Sequence, residues 1–125
     1  MGLSDLFKEK HNWNLDELKA INALMSAQAQ IDGNMDQNEI DLMFNVVSRL
    51  PGEKPSDWKE FCQSSMSTRP EDHFKVLKNM HTHKRKVLIA SLALLAEADD
   101  NVDEDEIKFL GATGLLLGIS PEDFS

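Results

Sequence analysis

Apolar residues recur at steps of three and four along most of the chain. Leu18, Ile21, Leu24, Met25 and Ala29 share one helical face, and Ile40, Met43, Phe44, Val47 and Leu50 share another. Trp58, Phe61, Cys62, Ser65 and Met66 predict a shorter helix between Pro55 and Pro70, and Phe74, Leu77 and Met80 predict one more. From Lys84 to Ala98 the chain is apolar on most sides, the pattern of a helix covered all round, so this segment is expected to be the central one. No stretch alternates with period two over a useful length, and tyrosine is absent. The expected fold is all-α, a compact bundle of about six to seven helices.

The helix starts are marked. Asn14 with Glu17, Asp36 with Glu39, and Asp103 with Glu106 each set a capping residue three before a glutamate. Apolar neighbours Trp13/Leu18, Met35/Ile40 and Val102/Ile107 flank them, so each site reads as a capping box closed by a hydrophobic staple. Ile119-Ser120-Pro121-Glu122-Asp123-Phe124 is a variant with proline at the first helical position.

Two of these starts are copies of one another. Ala29–Ile40 (AQIDGNMDQNEI) and Ala96–Ile107 (AEADDNVDEDEI) carry Ala, Asp, Asn, Asp, Glu and Ile at matching places. The copies predict a duplicated helix–acidic loop–helix unit inside a single domain spanning 1–125, with repeat halves at about 15–50 and about 84–125.

Charge sharpens the picture. The chain has 22 acidic against 13 basic side chains, a formal net charge of −9, and seven of the eleven residues from Ala96 to Glu106 are acidic. By contrast His73–Lys86 has no acid, five Lys or Arg and three of the four histidines. The acidic balance opposes nucleic acid and anionic lipid, and favours cations and basic protein surfaces. A lone cysteine, Cys62, excludes an internal disulfide. The longest apolar run, Val87 to Ala96, is half the length of a membrane helix, so an integral membrane protein is not expected. The first ten residues are charged, unlike a signal peptide, and Leu6 stands where a myristoylation signal wants Ser or Thr. The expected compartment is the cytoplasm.

Both loops read Asp-x-Asn-x-Asp-x-x-Glu: Asp32, Asn34, Asp36 and Glu39, then Asp99, Asn101, Asp103 and Glu106. Oxygen donors at alternate positions of a turn suit a hard divalent cation, Ca²⁺ before others. The negative end of the preceding helix dipole also calls for a counter-charge there. The loops are not EF-hands: counting from Asp32 or Asp99, the sixth position holds Gln37 or Glu104 and the twelfth Met43 or Leu110. Three readings stay open: helix caps alone, caps combined with a weak cation site, and an acidic face that docks a basic partner without metal. Caps account for Asp36, Glu39, Asp103 and Glu106, but not for the extra acids Asp99, Asp100 and Asp105.

The remaining candidates are weaker. His81 and His83 are two apart, a spacing that puts them on different sides of a helix, whereas a helical zinc pair wants three or four. The run His81–Lys86 is expected to open the central helix at the surface, pairing with an acidic loop or forming a basic patch. Cys62 reads as a small buried residue, Gly111, Gly114 and Gly118 as close helix packing, and Met1–Phe7 as a short amphipathic start. There is no Ser/His/Asp set, nucleotide loop or di-iron arrangement, so no enzyme is expected.

The paired loops in an all-helical frame resemble the TerB-like tellurite-resistance family. Ala29–Glu39 is similar to its first signature and Leu95–Glu106 to its second, followed by Leu117-Gly118-Ile119-Ser120. The resemblance runs from about Leu15 to Phe124, with Asp100 in place of the family's usual Gly. It implies a bacterial stress or tellurite-resistance module, a bundle with its two acidic loops close together, and binding rather than catalysis. It also implies metal-responsive or scaffold roles, in some members within membrane-associated complexes.

Overall fold

The computed structural model describes residues 11–31, 36–98, 108, 112–114 and 118. Among them the chain forms α1 (Leu15–Ala29), α2 (Gln37–Arg49), α3 (Trp58–Met66), a 3₁₀ turn (Pro70–His73), α4 (Phe74–Asn79) and α5 (Thr82–Ala98). No strand occurs among the described residues; Trp13 and Gly52 make an isolated parallel bridge. The all-α expectation holds. The expected first repeat half, about 15–50, takes in α1 and α2. Most of the second half beyond Ala98 lies outside the described residues, and the proposed duplication with it.

The two described boxes form as their spacing predicts. Asn14 Oδ1 accepts from Glu17 N at 2.8 Å, and Glu17 Oε1 accepts from Asn14 N at 2.9 Å. Trp13 and Leu18, which flank this box, are both fully buried, as a staple requires. Asp57 likewise stands three before a glutamate, Glu60, and caps α3 by accepting from Lys59 N and Glu60 N at 3.0 and 3.2 Å. The boxes at Asp103 and Ser120 lie outside the described residues.

The core joins Trp13, Leu18, Ile21, Leu24 and Met25 to Leu50, Leu77 and the Leu88–Leu92–Leu95 stripe of α5. Among the described residues α1 is as central as α5. Helix α5 is buried along Val87–Leu92, but α1 touches every other described helix. Apolar spacing hides this because α1 buries polar residues as well. Asn22 Nδ2 donates to Ser65 Oγ on α3, and Gln28 Nε2 donates to Leu92 O on α5 at 2.7 Å. With those amide donors paired, α1 can be covered on several sides.

A backbone clasp holds the start of α1 to the end of α2. Trp13 N donates to Pro51 O at 2.7 Å, and Glu53 N donates to Trp13 O at 2.9 Å. Gly52 sits between these bonds with φ +118°, a conformation L side chains rarely adopt. A Cβ there would run into the Trp13 carbonyl oxygen and amide nitrogen.

Candidate functional site

The first acidic loop connects α1 to α2. Of its four proposed oxygen donors, Asp36 and Glu39 are described, while Asp32 and Asn34 lie outside the described residues. Asp36 caps α2: its Oδ1 accepts from Glu39 N at 2.8 Å, and Glu39 Oε1 accepts from Asp36 N at 3.2 Å. The two carboxylates differ in accessibility. Glu39 is 2% exposed and serves the box from beneath, whereas Asp36 is exposed. Capping therefore uses one oxygen of Asp36 and leaves Oδ2 without a hydrogen-bond partner among the described residues.

The helix that leads into this loop ends on its own dipole. Helix α1 has no basic side chain in its last turn, and Gln30 closes it by donating its backbone N–H to Ser26 O at 3.1 Å. Four residues before Asp32, Gln28 buries an Oε1 that has no hydrogen-bond partner among the described residues. Helix α5, which leads into the second loop, likewise lacks a basic residue in its last turn. Asp99, Asn101, Asp103 and Glu106 lie outside the described residues. Among the described residues, no group of three or more His, Cys, Asp or Glu side chains could hold a metal ion.

Within the basic segment, Lys84 turns toward the start of α1. Lys84 Nζ donates to Glu17 Oε1 and Oε2 at 2.9 and 3.0 Å, and lies 5.8 Å from the Trp13 ring centroid. His81 precedes the first residue of α5, so helical spacing does not separate it from His83. Both rings meet His11, at centroid distances of 4.3 Å and 5.3 Å. His81 Nδ1 accepts from His83 N at 3.0 Å. His73 is buried against the 3₁₀ turn, and that burial pushes its imidazole below the ordinary value; Lys19 acts in the same sense, with Asp72 and Asp16 opposing.

One surface feature escaped the sequence reading. Ile40 and Phe44, placed there on the core stripe of α2, are 42% and 45% exposed. With Met66 of α3, 39% exposed, they flank a groove of about 450 Å³ between α2 and α3. Met43 and Asn22 line it from beneath. Cys62 is half-buried in its wall rather than fully covered, and burial pushes its thiol up. The stripe on α2 is wider than its neighbours can cover, a property of packing that spacing alone does not carry.

The family model for the tellurite resistance protein TerB matches residues 18–125. The chain belongs to the TerB family. The match runs from Leu18 within α1 through α5 and takes in both acidic motifs, so the paired loops of this TerB chain lie inside the matched span. No curated protein and no solved structure matches it. No described helix is long and apolar enough to cross a membrane.

Proposed function

We propose that this TerB chain is a non-catalytic cytoplasmic module of a bacterial stress or tellurite-resistance system, in which the two acidic loops bind a divalent cation weakly, Ca²⁺ before others. Asp32, Asp36, Asp99 and Asp103 supply carboxylates, and Asn34 and Asn101 supply neutral oxygens. Glu39 and Glu106 serve as ligands or as box residues, and the burial of Glu39 favours the box role.

The observation that carries the reading is the double capacity of Asp36. Its carboxylate caps α2 through one oxygen while the side chain stays exposed, so capping does not exhaust it. The α1 terminus, with no basic residue in its last turn, adds partial negative charge that a cation would offset. Each ligand run is shorter than the twelve-residue loop of an EF-hand and passes directly into a helix start, which implies weak binding with water filling the remaining Ca²⁺ coordination positions.

Asn caps a helix about as well as Asp but carries no charge. Asp36→Asn with Asp103→Asn should therefore preserve helix content by circular dichroism while lowering Ca²⁺ affinity by about tenfold or more in calorimetry. Unchanged affinity in the double variant would remove these residues from the site.

A further inference from the structure

The groove between α2 and α3 is a feature that the acidic loops do not explain. Among the described residues four large hydrophobic side chains are exposed, and three of them, Ile40, Phe44 and Met66, line this one groove. Their arrangement is regular. Ile40 and Phe44 stand four apart on one face of α2, and Cys62 and Met66 stand four apart on α3. Two short apolar ridges thus face each other, each spanning ~6 Å of helix axis.

The walls are held in place. The Phe44 ring meets Trp58 edge-on at 5.4 Å, and Trp58 meets Phe61 in the same way at 5.8 Å, so the exposed ring is braced from the core side. Beneath, Asn22 is tied to Ser65, whose hydroxyl donates to the Phe61 carbonyl at 2.9 Å. A preformed apolar groove loses little freedom when a partner enters.

The charged residue that lines it is acidic. Asp41 lines the groove and Asp36 lies just beyond its α2 end, both exposed, and neither pairs with a basic side chain among the described residues. Asp41 is held by a neutral donor, Gln37 Nε2, at 2.8 Å, which leaves its charge uncompensated. An entering helix with lysines beside its apolar face would meet both acids.

We propose that the α2–α3 groove docks an amphipathic, basic helix of a partner protein. Ile40, Phe44 and Met66 receive its apolar face, and Asp36 and Asp41 receive its lysines or arginines. This is helix-in-groove recognition, with anchors at i, i+3 or i+4, and i+7. Met66 suits it, since a flexible thioether adapts to the shape of an incoming side chain. The proposal gives a place to the basic-partner alternative read from the acidic composition, and it does not require a cation in the loops.

The test is a titration of the ¹⁵N-labelled chain, in EDTA, with a synthetic helical peptide of Leu and Lys carrying Leu on one face. Running it in EDTA separates its outcome from that of the cation site. Saturable shifts should centre on Ile40, Phe44, Cys62 and Met66. Phe44→Gln should weaken binding by about tenfold. Asp36→Asn with Asp41→Asn should weaken it by roughly threefold and flatten its salt dependence. Thermal melts of each variant report that it is folded. Equal binding of a peptide with the same composition in scrambled order would overturn the proposal, and so would equal binding with Glu in place of Lys. A Phe44-dependent dimer in sedimentation equilibrium would overturn it too, since the occupant would then be a second copy.

Discussion

Lys84 closes both oxygens of the Glu17 carboxylate at 2.9 and 3.0 Å, while Glu17 Oε1 also accepts from the Asn14 amide. One carboxylate thereby completes the cap of α1 and ties the first turn of α5 to it. The pair is largely sheltered, with side chains 12% and 10% exposed. This box glutamate is also a tertiary contact.

Removing one partner strands the other. Lys84→Met leaves a sheltered carboxylate without its cation and should lower unfolding free energy by about 3 kcal/mol, measured by urea denaturation. Adding Glu17→Gln keeps a box acceptor and removes the stranded charge, so the double variant should recover part of that loss. Full additivity of the two losses would show that the residues do not act as a pair.

His73 sets a pH dependence. The Thr68 hydroxyl spends its proton on Ser65 O at 2.6 Å, so it accepts from His73 Nε2–H at 2.8 Å. Burial, the leading cause, holds the folded imidazole below its ordinary value, so the native state binds fewer protons than the unfolded chain. Its contribution is then complete above about pH 6.5 and is lost as pH falls through the lowered folded value. His73→Gln should flatten the rise of stability with pH across that window, read from urea midpoints at a series of pH values.

Gly52 admits no side chain. Gly52→Ala places a methyl against the Trp13 backbone at positive φ, and both hydrogen bonds of the Trp13 clasp must shift to relieve it. A loss of about 3 kcal/mol is expected, seen as a fall in Tm on the order of 10 °C. An unchanged Tm would mean that the clasp contributes nothing to the fold.

Asp36 separates two properties by substitution. Asp36→Ala removes the cap and should cost about 1 kcal/mol, while Asp36→Asn should leave stability within a few tenths. Equal losses in the two variants would show that the charge, rather than the cap, holds α2.

Much of this was legible in the sequence because it is local. Asn14 with Glu17, and Asp36 with Glu39, announce helix starts through residues three apart, and the structure forms both boxes. Apolar spacing likewise located α1 to α5. Tertiary relations were not legible. The place of Lys84 on Glu17 is a contact between residues 67 apart, and nothing in either neighbourhood specifies it. The central position of α1 depends on Asn22 and Gln28 finding partners on α3 and α5, which an apolar stripe cannot register. Phe44 carries the period of a core residue and stands half in solvent, because burial depends on what packs opposite.

The acidic loops were the clearest chemical signal in the chain, and half of the first is now tied to geometry through Asp36 and Glu39. Titration of the unmodified chain with Ca²⁺, followed by ¹H–¹⁵N NMR, tests the central claim most directly. The proposed function predicts saturable shifts confined to the residues around 32–39 and 99–106, not reproduced by Na⁺ at equal ionic strength. Shifts that grow without saturation, or that Na⁺ reproduces, would contradict it.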